Sequence, residues 1–352
     1  MAGARAISVN FPAAGLALAA LLLSGCCSPC RRAPTCCEPQ PALPALATQT
    51  PPAAVLRARD PAPGTILDHG TGKGVSFDAL IDDLAKASVV YLGERHDQAA
   101  HHAFQARVFE ALLDRWKDER VGMGMEMFQT PAQEALNAYV DGTIDEKALL
   151  EKTEWATRWG FGWEMYAPMV RRARAEPSRV EVVALNAPKE VTRAVAKGGL
   201  ESLTAEQREA LPPLDLTDAG HRAFVLKAFG AHGAEMPKDK FERFYTAQVI
   251  WEETMSSSVA DWLNSNGKGN PHMVVVVGAG HVADRFGVPA RAQKKSGRPY
   301  LTVVCEVTDP AAPPSADDEP PRLDKPYADF TAWFLPSAPP KPAKPAAAPA
   351  KP

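Results

Sequence analysis

Residues 89–96 read Val-Val-Tyr-Leu-Gly-Glu-Arg-His: an apolar run breaks at Gly93 into a charged cluster. A short apolar run bounded by glycine reads as a strand covered on both faces, which calls for helices above and below it. That steers the chain toward an open α/β sheet, whose strands deliver functional side chains at their carboxyl edge. Three later stretches repeat the design. Residues 121–127 place Glu126 at a strand end, residues 180–185 lead into Asn186, and the run 273–277 ends in Gly278-Ala279-Gly280-His281.

The intervening segments carry helical spacing. Leu80, Ile81 and Leu84 mark a short amphipathic helix over 77–86, and Asp97 is a suitable N-cap for a helix to about Trp116. The apolar side of the latter is Phe104, Val108, Leu112 and Trp116. Further helices are predicted at 131–139, at 145–155 and after Pro188, and a fifth strand at 300–307. Residues 198–265 are helical with no strand signal and read as a cap over the sheet. The order predicts an α/β fold: a mostly parallel central sheet flanked by helices, with a helical cap. Gly122 and Gly124 alternate along the second strand, where a helix or ligand can come close.

The 33 prolines of the 352 residues crowd the two ends, which places the folded unit at 64–310. Residues 1–26 have the form of a lipoprotein signal: Arg5, an apolar run at 13–23, then Leu23-Ser24-Gly25-Cys26, with Cys26 the lipidated residue. Cys27 follows where an Asp would retain the protein at an inner membrane, so the expected location is the cell envelope, at the outer membrane. Residues 27–63 form a Pro- and Cys-rich tether, and 311–352 a Pro/Ala/Lys-rich tail. A docked segment at 327–335 is allowed by Phe330, Trp333 and Phe334. Cys27, Cys30, Cys36 and Cys37 are disulfide or idle tether cysteines rather than a zinc site, and Cys305 is a buried small apolar residue. A net charge of −3 gives no reason to expect nucleic-acid binding.

Parallel strand ends share one rim, so Glu94, His96, Glu126, Asn186 and His281 are expected to meet in one cleft. Two histidines and two carboxylates, His96, His281, Glu94 and Glu126, are ligand types for a divalent metal ion and equally an acid/base set. On the helix at 238–263, Phe241, Tyr245, Gln248, Glu252, Met255 and Val259 share one face, apolar except at Gln248 and Glu252. A buried glutamate requires a mate, so Glu252 either bonds an arginine such as Arg95 or faces the cleft. The other register puts Phe244, Trp251 and Trp262 inside. His101 and His102 lack the spacing of a helical zinc pair, and His69, His221, His232 and His272 read as exposed. The aromatic run from Trp155 to Tyr166 is either core packing or one wall of an apolar pocket for a flat ligand.

Together, VVYLGERHDQAAHH, MGMEMF, AQVIWEETMSSSVADWL and VVGAGHVADRFGVPAR resemble the ChaN-like haem-binding uptake proteins, within the wider Tiki/TraB and erythromycin-esterase-like superfamily. The resemblance covers about residues 64–306. It implies an α/β core with a helical cap, and haem as cofactor and partner in a pocket completed by a second protomer. It also implies a surface lipoprotein tied to iron acquisition. Gly93-Glu94-Arg95-His96 and Gly278-Ala279-Gly280-His281 match motifs that serve a metal-dependent peptidase in Tiki-type relatives, with Glu126 as the matching carboxylate. The iron ligand is not placed by motif. Tyr245 and Tyr166 are candidates on chemistry, because phenolate oxygen ligates ferric iron, and Arg95, Gln248 and Glu252 are candidate cofactor contacts. Three functions follow in order: a lipid-anchored haem-binding protein, a metal-dependent hydrolase using Glu94, His96, Glu126 and His281, and a non-catalytic envelope lipoprotein.

Overall fold

The computed structural model describes residues 62–230, 237–267, 269–308 and 327–338. The signal, Cys26, most of the tether, His232 and the end of the tail lie outside the described residues.

Strands β1 (Ile66–Asp68) and β2 (Lys73–Gly74) precede α1 (Phe77–Leu84), β3 (Val89–Glu94), α2 (Ala99–Arg115) and β4 (Val121–Gln129). Helices α3 (Gln133–Val140), α4 (Glu146–Lys152), α5 (Trp155–Arg158) and α6 (Ala167–Arg174) lead to β5 (Val180–Asn186). Four helices then intervene: α7 (Lys189–Gly198), α8 (Ala205–Glu209), α9 (Ala219–Gly230) and α10 (Lys238–Ser265). The chain re-enters the sheet at β6 (His272–Gly278), followed by α11 (Val288–Ser296), β7 (Tyr300–Val307) and β8 (Phe330–Phe334).

The sheet order is β2-β1-β8-β7-β3-β6-β4-β5, parallel from β8 to β5 and antiparallel at the β1 edge. Alternation along each strand feeds two cores, as the pleat requires. Val90, Leu92, Met123 and Met125 pack with α1, α2, α3 and α6, while Val89, Tyr91, Val275 and Val277 pack under α10 and α11. Gly122 makes room for α10: a β-carbon there would stand 3.0 Å from Trp262 Cε3. Gly124 instead makes room for strand side chains: a β-carbon there would meet Met273 of β6 and Leu185 Cδ1 of β5, the latter at 3.1 Å.

Two differences from the sequence reading have physical causes. The last sheet strand, β8, lies beyond the expected end of the folded unit at 310. It pairs with β7 and β1, which satisfies backbone groups that β7 would otherwise leave at an open edge, and Phe330 and Ala332 join Val303 and Cys305 in the first core. Helix α2 begins at Ala99 without a cap from Asp97. Ser337, far along the chain, supplies the cap instead: its Oγ accepts from Ala100 N at 2.9 Å.

Candidate functional site

Adjacency of β3 and β6 brings the two histidine loops together. Glu94 is the register neighbour of Gly278, so His96 and His281 leave adjoining strands at the same rim. Glu126 arrives from β4, on the other side of β6. There the pairing with β5 loses its regular register after Met125, a local irregularity of the kind that re-aims a side chain. Asn186 fixes that irregularity by donating from Nδ2 to the Glu126 carbonyl at 3.0 Å. Glu126 accepts from Gly278 N at 2.6 Å.

Glu94 is buried at the centre of the first half of the site. His96 Nδ1 lies 2.8 Å from its Oε1, and His102 Nδ1 lies 2.9 Å from its Oε2. The Tyr166 hydroxyl donates to Glu94 Oε1 at 3.0 Å. Burial alone would raise the Glu94 pKa, but the charge and hydrogen bonds of His102 and His96 pull it down to about 2. Burial works against charge on His96 as well; its hydrogen bond to Glu94 and the field of Glu126 outweigh it and raise its pKa.

Glu252 organises the second half. His281 Nδ1 lies 3.2 Å from its Oε1, His221 Nε2 lies 2.9 Å from its Oε2, and Gln248 Nε2 donates at 3.0 Å. Burial opposes ionisation here too, yet His221 and His281 hold Glu252 at about 2. His281 is raised, burial notwithstanding, by Glu252 and Glu126. The free edge of His281 faces the centre, its Nε2 3.7 Å from Glu126 Oε1. Gly278 lets His96 approach: a β-carbon there would stand 3.2 Å from His96 Nε2 and 3.5 Å from Glu126 Oε2.

The structure thus brings Glu94, His96, Glu126 and His281 together, with Gln248 and Glu252 beside them. It does not arrange the first four as a metal-ligand sphere. The Nδ1 atoms bond Glu94 and Glu252 and leave each Nε2 outward, but among the described residues no group of three or more His, Cys, Asp or Glu is placed to hold a metal ion. The apolar face expected on α10 is the buried one, from Phe241 to Val259, although Trp262 is buried too. Glu252 is met by His281, His221 and Arg291 Nε (3.5 Å) rather than by Arg95, which lies 4.0 Å from Asp97.

Tyr166 and Tyr245 are both buried and in use within the protein. The Tyr245 hydroxyl lies 3.3 Å from His221 Nδ1 and from the Asp218 carbonyl. Burial pushes the Tyr245 phenol up to about 12 and Tyr166 well above its ordinary value. The aromatic run divides: Trp155, Trp163 and Tyr166 are core, while Trp159 and Phe161 are half-buried and pack on His96 with ring centroids 4.7 and 5.3 Å away.

The sequence assigns no role to His102 and places His221 and His272 on the surface, whereas both of the latter are buried. His102 sits six residues after His96 in α2, on the side that also buries Phe104 and Gln105. That helical phase was the available signal. Nothing local foretold His221, which meets Glu252 only through tertiary packing. His272 is buried at the opposite sheet edge, stacked on Trp116 at 4.2 Å.

Residues 80–292 match a family model described as haem-binding uptake, Tiki superfamily, ChaN. Among solved structures, the fold is similar to that of ChaN of Campylobacter jejuni, described with cofacial haem binding. The TM-score is 0.57 at 20% identity, covering 76% of this chain and 95% of that one. Erythromycin esterase EreC in its open conformation aligns with a TM-score of 0.43 at 12% identity, over 78% of this chain and 83% of that one. A curated relative, the chloroplastic protein RETICULATA-RELATED 5 of Arabidopsis thaliana, is 26% identical over 258 residues, 68% of this chain. The match spans 34% of that relative's length.

Proposed function

This chain belongs to the haem-binding uptake family of the Tiki superfamily, the family of ChaN, and on that premise we propose that it binds haem and serves haem uptake from a lipid anchor at Cys26. Family membership carries the reading. The residues fit the group at one place, where Trp159 and Phe161 flank His96 at the rim of the cleft. A flat apolar ring stacks on such a surface, and His96, its Nδ1 taken by Glu94, keeps Nε2 as a nitrogen able to ligate iron. Tyr166 or Tyr245 would reach iron only by leaving the bonds described above. In this reading a second copy of the chain would complete the pocket; the Campylobacter protein is described with cofacial haem binding.

Titration of the purified protein with hemin tests the proposal. A shifted Soret band saturating at a fixed stoichiometry is expected, with dimer formation on sizing. A spectrum that stays that of free hemin defeats it.

A second reading rests on a separate observation: two imidazoles, each with Nδ1 on a buried carboxylate, stand about Glu126. That is an acid/base arrangement suited to hydrolysis, one histidine taking a proton while the other gives one. Screening ester substrates with the wild type and His281→Ala checks it; equal rates for the two proteins would remove it.

A further inference from the structure

The loop that carries His281 passes through two consecutive left-handed residues, of which the second, Arg285, is of a type that rarely adopts that conformation. Asp284 and Arg285 are consecutive non-glycine residues at φ 54° and 60°, in the left-handed region. A β-carbon on Gly287 would stand 2.3 Å from the His281 carbonyl oxygen. Non-glycine residues stay in such conformations only where surrounding structure over-determines them.

The restraint comes from the segment leading into β8. Asp284 N donates to the Tyr327 carbonyl at 2.9 Å, and Arg285 forms an ion pair with Asp329. Asp329 is itself fixed on β7, where its Oδ2 accepts from Thr302 N and Oγ1, both at 2.8 Å. Past β8 the same segment reaches the other histidine loop. Ser337 N donates to Gln98 Oε1 at 2.8 Å, and Ser337 Oγ accepts from Ala100 N, two and four residues after His96. Between these points Phe334 packs on His101, whose Nδ1 accepts from Arg95 N at 3.1 Å.

We propose that the segment Tyr327–Ser337, which lies outside the family-matched residues, is a positioning strap that fixes the His96 and His281 loops relative to each other. Asp329 acts on His281 through Arg285, and Ser337 acts on His96 through the start of α2. The strap does not touch the imidazoles; it sets the backbone from which they reach Glu94 and Glu252. The inference stands apart from haem binding, because loop order is read without ligand.

Amide exchange by mass spectrometry tests it, together with the rate at which diethyl pyrocarbonate modifies His281, followed by peptide mapping. Asp329→Asn is expected to speed exchange over 279–287 and modification of His281 by roughly tenfold, leaving β3, β4 and β6 protected. Ser337→Ala is expected to speed exchange over 96–100 only. Unchanged exchange in both loops overturns the proposal, and so does an equal rise throughout the sheet, which signals general destabilisation. If Asp329→Asn does not fold, Arg285→Gln decides the first half in the same terms, since it cuts the ion pair from the loop side.

Discussion

Glu94 and Glu252 stand in the same relation to the cleft from opposite sides. Each is buried, each holds the Nδ1 of a rim histidine (His96 at 2.8 Å, His281 at 3.2 Å), and each is braced by a second histidine at 2.9 Å. One pair is built within β3 and α2; the other joins α9, α10 and the loop after β6. The imidazoles therefore arrive oriented, with their outer nitrogens turned toward the space beside Glu126.

Removing the carboxylate charge changes how its histidine titrates. Glu94→Gln removes the charge that His96 bonds and leaves mainly the field of Glu126 to set against burial, which disfavours the imidazolium. The His96 pKa, followed by NMR, is expected to fall relative to wild type, while His281 keeps its raised value because Glu252 remains.

The pairs also set a pH window for stability. Glu94 and Glu252 are held at about 2 against an ordinary 4.5, so their contribution is full above about pH 4.5 and is lost as pH falls toward 2. His96 and His281 are raised above 6.5, so theirs is full below about pH 6.5 and is lost as pH rises through the folded values. Urea melts near pH 3, 5.5 and 8.5 are expected to give the highest midpoint at the middle value. In the double variant His96→Gln/His281→Gln the decline on the alkaline side should shrink.

Truncating Glu252 to alanine leaves Arg291, His221 and His281 around a vacated buried position. Removing one member of a buried ion pair costs about 3–5 kcal/mol, measurable by denaturant unfolding. Glu110, which pairs with Arg172 from a half-exposed position, provides the contrast: Glu110→Ala should stay within about 1 kcal/mol.

Gly278→Ala would place a β-carbon 3.0 Å from His96 Cε1. Overpacking of this kind costs about 1–3 kcal/mol, and the ring can move toward the open rim to relieve it. The expected outcome is a folded protein whose His96 imidazole shifts in NMR and whose hemin affinity falls.

Trp159→Ala removes one wall of the platform beside His96. A loss of about 1.5 kcal/mol, roughly tenfold in Kd for hemin, is expected from the lost apolar contact. Trp163→Ala, a core change, should lower the melting temperature more than it lowers hemin affinity in protein that remains folded.

Local sequence determined the five parallel strands from β3 to β7, their order of appearance and the rim on which Glu94, Glu126, Asn186 and His281 emerge, but not β1, β2 and β8. Apolar runs ending in glycine and polar residues leave a parallel sheet little freedom about where those residues go. The buried face of α10 was readable for the same reason: 3.6-residue periodicity is a property of the chain itself. Tertiary packing alone decided which groups meet. His221 reaches Glu252 from α9, Arg291 supplants Arg95, and Ser337 caps a helix that Asp97 was expected to cap. A buried charge accepts any donor the fold delivers within about 3 Å, and that choice rests on how distant segments pack rather than on any pattern along the chain.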